Sequence, residues 1–145
     1  MGCQIIIGPN LIESIMIDIE LPIYWTQHFK TKNDKTCLVG MNWYRNAHFH
    51  AQNKMKKDFH ELVVKQLDTA QFTGKFSLDI GIYYKNASCD GANIVALIEK
   101  FTLDALQENK TVINDNVKYH LGTSWKVLGA DKDNPRAIIS ITELK

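Results

Sequence analysis

Between Cys89 and Asn116 a strongly apolar run is bracketed by carboxylates, and no other stretch constrains the fold as much. Asp90-Gly91-Ala92-Asn93 leads into it, Glu99-Lys100 and Asp104-Ala105-Leu106 lie along it, and Asn114-Asp115-Asn116 follows it. The spacing predicts a helix over Ala92–Leu106, with Ile94, Ile98, Phe101 and Ala105 on its core face. At about 100° per residue, Asn93, Lys100 and Asp104 fall within roughly 40° of one another, beside that face. Buried charge is costly unless it is paired or bound to a metal, so a polar stripe on a mostly buried helix needs an explanation.

The rest of the chain supplies partners for such a helix. Ser14 to Leu21 alternates apolar and polar, with Ile15, Ile17, Ile19 and Leu21 on one side, and Pro22 ends it. Tyr24 to Tyr44 is basic and irregular and is expected to be a long loop or arm. Asn46 to Leu67 reads as a helix with Met55, Phe59, Leu62, Val63 and Leu67 inward. Phe76 to Tyr84 alternates as a strand, and Val117–Trp125 and Ala137–Ile141 are two more. Asp131-Lys132-Asp133-Asn134-Pro135 is the turn between those two. The order β-α-β-α-β-β predicts a single α+β domain over 1–145, its core about 15–143, with a mixed β-sheet and two helices packed on one face.

A chain of 145 residues, 45% hydrophobic and 23% charged, is ordinary for a globular protein with a sizeable core. No apolar run approaches the roughly 18 residues of a membrane span. Met1–Ile7 lacks the basic start of a signal peptide, and Ile6 breaks the myristoylation pattern that Gly2 would open. Cys3, Cys37 and Cys89 are odd in number and far apart, which fits a reducing compartment, so a cytoplasmic location is expected. Net charge is only +1, but from His28 to Lys57 seven basic residues face one acid, Asp34. A local patch of this kind is the footprint of a nucleic-acid-binding face.

Asp90, Asp104 and Asp115 supply the hard oxygen donors that Mg²⁺ prefers. Bound there, Mg²⁺ would neutralise a phosphate and lower the pKa of an attacking water, and Lys100 could stabilise the charge that develops in phosphodiester hydrolysis. The short return through Thr111-Val112-Ile113-Asn114 is expected to bring Asp115 back beside Asp90. Spacing alone leaves plainer roles equally open. Asp90 can cap the helix, Lys100 and Asp104 can form a surface pair at i,i+4, and Asn114-Asp115-Asn116 can be a turn. His28, His48, His50 and His60 match no zinc-site spacing.

Asp90-x-x-Asn93, Glu99-Lys100-Phe101-x-x-Asp104-Ala105-Leu106 and Asn114-Asp115-Asn116 together resemble the signature of the RusA-like endodeoxyribonucleases, Holliday junction resolvases of phages and prophages. Asn42-Trp43-Tyr44-Arg45-Asn46-Ala47-His48 with Gln52-Asn53-Lys54 is similar to the entry to their first helix, and 131–136 to their C-terminal hairpin. The resemblance implies a homodimer that binds four-way DNA junctions and cuts one strand per subunit, using Mg²⁺ or Mn²⁺ held by aspartates. It makes Asp90 and Asp115 metal ligands and Lys100 the catalytic or phosphate-contacting lysine. Asp104 becomes a supporting acid, while Asn93 and Asn116 order the motif. Where the best-known members carry a second Asp before the Asn, this chain has Ala92. Glu99 is the candidate replacement ligand, although it sits roughly 120° or more around the helix from the Asn93–Lys100–Asp104 stripe.

DNA contact is expected from Arg45, His48, Lys54, Lys57 and Lys85, beside Trp43, Tyr44 and His50. Val95, Leu103 and Leu106 extend the apolar surface of the second helix, which suits either a dimer interface or a central buried helix. Four functions follow from these readings: a junction-resolving endonuclease, a junction-binding protein without cleavage, a nuclease of flaps or forks, and an unrelated small interaction protein whose acids are caps and turns.

Overall fold

The computed structural model describes residues 3–7 and 13–144, and side chains from residue 15 onward. Five strands build the main sheet: β1 (Cys3–Ile7), β2 (Glu13–Pro22), β5 (Lys75–Tyr84), β6 (His120–Ala130) and β7 (Arg136–Leu144). Their spatial order is β1-β2-β7-β5-β6. Neighbours run antiparallel except β5 and β6, which are parallel. A parallel pair needs a crossover, and helix α3 (Gly91–Glu108) supplies it. The α+β class with a mixed sheet is as the periodicity implied.

One face of the sheet is apolar by strict alternation. Ile17, Ile19 and Leu21 of β2, Phe76, Leu78, Ile80 and Ile82 of β5, and Ala137, Ile139 and Ile141 of β7 are all buried. Helix α2 (Phe49–Leu67) turns Met55, Phe59, Val63 and Leu67 into the same core. Phe59 stacks on Phe101 of α3 at 5.1 Å, and Tyr44 meets that ring edge-on at 5.4 Å. The opposite sheet face is polar, with Asp18, Ser140, Asp79 and Ser124 in one cross-strand row.

The basic segment is not a loop. It folds as strands β3 (Tyr24–Gln27) and β4 (Lys35–Leu38), paired antiparallel, followed by the short helix α1 (Met41–Asn46). Only Trp25 of β3 is buried, so these strands show almost none of the alternation that reveals a strand in sequence. Strand β1 and the separate α1 are further elements beyond the expected order. Strand β6 begins at His120 because residues 116–119 turn: the Asn116 carbonyl accepts the N–H groups of Tyr119 and His120. Among the described residues no helix is long and apolar enough to cross a membrane.

Glu143 is a buried carboxylate that the pattern concealed, since it occupies a core-facing position of β7 at 1% exposure. Its Oε2 accepts the N–H groups of Thr73 and Gly74, at 2.8 and 3.3 Å. Charge-assisted bonds of this kind make the burial tolerable.

Candidate active site

Asp90 is the N-cap of α3. Its Oδ1 accepts the N–H groups of Ala92 and Asn93, at 3.1 and 3.4 Å, which satisfies donors that no helix can satisfy internally. Oδ2 has no hydrogen-bond partner among the described residues, and the side chain is exposed. Asn93 reaches away from its own helix: its Oδ1 accepts the backbone N–H of Asn42 in α1 at 2.8 Å. Trp125 of β6 closes the other side of this helix end. A side chain at Gly91 would lie 2.7 Å from the Trp125 ring.

The polar stripe is partly solvated rather than enclosed. Lys100 Nζ lies 3.2 Å from Asp104 Oδ2, their side chains 42% and 27% exposed. That is the plain i,i+4 pair, and it stands beside Asn93 on the flank of α3. Glu99 is half-buried on the opposite flank, apart from the stripe as helix geometry required. Val95 and Leu106 are buried in the chain's own core and Leu103 packs partly against it. The broad apolar surface of α3 is therefore covered internally.

Asp115 does not return to Asp90. It lies near the C-terminal end of α3, where the Gln107 amide, oriented to donate, is 2.6 Å from its Oδ1. The intervening helix has 18 residues, a length of roughly 27 Å. Parallel strands impose this separation: a crossover helix carries the chain back to the end of the sheet where the first strand began. Asn114 and Asn116 form consecutive Asx turns, accepting the N–H groups of Asn116 and Lys118 at 3.1 Å each. Among the described residues no three His, Cys, Asp or Glu side chains converge to hold a metal ion. Asp90 and Asp115 of one chain, at opposite ends of α3, therefore do not meet at one centre.

The basic residues gather around α1, α2 and the β3–β4 hairpin. Arg45 is exposed in the last turn of α1, and Lys54 and Lys57 are exposed on α2. His48 caps α2, its Nδ1 accepting the N–H of His50 at 3.2 Å. Its ring stacks with those of Phe49 and His50 at 4.6 and 4.9 Å. Lys85 stands apart from these, on the segment before Asp90, with Nζ 5.7 Å from the centre of the Tyr24 ring. Burial and a 3.8 Å contact with the Cys89 thiol raise the Tyr24 phenol above its ordinary pKa, so it stays neutral. The other histidines of residues 28–60 are dispersed, His28 on Asp34 at 2.8 Å and His60 beside Glu108 at 3.1 Å. Sequence reasoning missed Trp25 and Gly40. Only their contacts across the fold give them meaning: Trp25 Nε1 donates to Asp58 at 2.8 Å, and Gly40 leaves the room that Asn93 fills. No protein-family model matches this chain, and no curated protein is significantly similar to it.

Proposed function

We propose that this chain is a structure-specific endodeoxyribonuclease of the RusA type, acting on four-way DNA junctions as a homodimer. The observation that carries the reading is the Asn93–Asn42 hydrogen bond of 2.8 Å. Two segments far apart in sequence resemble that family separately, and here they meet at one helix end. Asp90, with an uncommitted carboxylate oxygen, is at that end, and exposed Arg45 is on the adjoining helix α1.

Asp90 and Asp115 can serve one metal centre only if they come from two copies. Among the described residues strand β6 has a neighbour on one side only, and it exposes Leu121, Trp125 and Val127. An unprotected apolar edge favours pairing with another strand. A two-fold axis perpendicular to β6 would run the two edges antiparallel. The end of one copy that carries Asp115 would then meet the end of the other that carries Asp90. Mg²⁺ held there would supply charge neutralisation and an activated water. The chain's own part is to hold the DNA backbone by its basic face and to present Lys100 to the phosphate.

A second reading, junction binding without cleavage, is favoured by Ala92 in place of an aspartate and by the use of Asp90 as a cap. Incubating labelled four-way junction, fork and linear duplex with the protein and Mg²⁺ distinguishes the readings. Paired cuts confined to the junction support the proposal, and preferential cutting of forks makes it a flap or fork nuclease. Tight junction binding without cuts in Mg²⁺ or Mn²⁺ replaces it with the second reading.

A further inference from the structure

A cavity of about 410 Å³ lies between the β3–β4 hairpin and the start of α2, and Asp90 is not part of its wall. That volume falls within the range of small-ligand pockets. Its walls include Trp25, Phe29, Lys35, Trp43, His48 and His50. The Trp25 and Trp43 rings are 5.9 Å apart and inclined at 58°. Trp25 is fixed from behind by its bond to Asp58. Phe29 carries the Lys32 ammonium 4.3 Å from its ring centre. The wall also holds the Cys37 thiol, whose pKa burial pushes up to about 11. It stays protonated at neutral pH, which makes it a poor nucleophile.

Charge selects the ligand. Between Trp25 and His60 the only acids are Asp34 and Asp58. Both are engaged, Asp34 by His28 and Asp58 by Trp25. Lys30, Lys32, Lys35 and Lys54 are exposed on the hairpin and on α2. Lys54 follows the lining residues His50 and Ala51 by four and three positions, which puts it on the same helix face. Aromatic walls under a cationic rim suit a flat heterocycle attached to a polyanion, the pattern of single-strand binding by stacking. An acidic peptide would match the rim but would make no use of several rings converging on one cavity.

We propose that this cavity takes the base of an unpaired DNA nucleotide, with the flanking phosphates on the lysine rim. The proposal deepens the reading of the chain as a protein of branched DNA: it names an unstacked nucleotide, such as one at a junction's exchange point, as a feature that the protein grips.

The test is a tryptophan-fluorescence titration of the intact protein without divalent metal. The probes are a short oligothymidylate and an abasic oligomer of equal length and charge. Two of the three tryptophans line the cavity, so the oligothymidylate should quench emission and bind about ten-fold tighter than the abasic strand. Trp43→Ala and, on the exposed hairpin, Phe29→Ala should each remove most of that advantage, and Trp43→Phe should keep it. Equal affinity for the two oligomers, or an advantage untouched in both alanine variants, overturns the proposal. Metal-dependent cutting of junctions alongside equal affinity would overturn the pocket alone. A base-dependent quench in a protein that neither binds nor cuts junctions would leave the pocket standing and remove the nuclease reading.

Discussion

The side chain of Asn93 occupies the space that a side chain at Gly40 would need. A Cβ built on Gly40 lies 2.3 Å from Asn93 Nδ2. The Gly40 backbone is extended (φ −148°, ψ 150°), so alanine there meets a steric obstacle and no torsional one. Gly40→Ala should cost about 1–3 kcal/mol by forcing Asn93 out of place. Asn93→Ala should cost about 1 kcal/mol through the lost bond to Asn42. Because the two effects share one cause, the double variant should be clearly more stable than the sum of the single costs implies. Urea denaturation of the four proteins checks this, and simple additivity would contradict it.

Asp90 holds two roles that substitutions can separate. Asn caps a helix about as well as Asp, whereas Ala loses roughly 0.5–2 kcal/mol. Asp90→Asn should therefore keep the thermal midpoint while removing metal-dependent cutting, and Asp90→Ala should lose both. Calorimetry beside a cleavage assay reads the two roles independently. Full activity in Asp90→Asn would leave Asp90 as a cap only.

Lys100 and Asp104 contribute little to folding as a solvated pair. Replacing Lys100 by Ala should change stability by no more than about 0.5 kcal/mol. The same substitution should lower the cleavage rate by at least ten-fold if Lys100 faces the scissile phosphate. A proportional loss of stability and activity would assign the lysine to structure.

The turn before β7 is sensitive to acid. Asp131 accepts from Arg136 at 2.8 Å, and this bond holds its carboxyl below the ordinary value of 3.8. A depressed folded pKa stabilises the fold above the unfolded pKa, and that stabilisation disappears as pH falls through the folded value. The destabilisation caused by Asp131→Asn should therefore be present at neutral pH and vanish at the acid end of a pH series. The pair is solvent-screened, so the effect is small. A difference that persisted unchanged in strong acid would contradict the linkage.

Much of the fold was legible because burial is periodic. The alternation in 14–21, 76–84 and 137–141 and the helical spacing in 92–106 each survive as elements of the structure. The β3–β4 hairpin was not legible, since one buried tryptophan gives no period. At the site, Asp90 and Asn93 lie at one helix end, as the helical spacing implied. Asp115 failed for a topological reason. Nothing in the residues of β5 and β6 announces that they pair in parallel, and that pairing alone decides that a residue after α3 lies a helix length from one before it. Glu143 and Gly40 were illegible for a related reason, as their partners Thr73 and Asn93 are distant in sequence.

The most direct measurement is cleavage of a labelled four-way junction in Mg²⁺ by the wild-type protein, by Asp90→Asn, by Asp115→Asn, and by an equimolar mixture of the two variants. The account predicts paired cuts by the wild type that require the metal, none by either variant, and single-strand nicks by the mixture, in which one composite centre per mixed dimer is intact. Junction binding with no cutting by the wild-type protein in either Mg²⁺ or Mn²⁺ would contradict it.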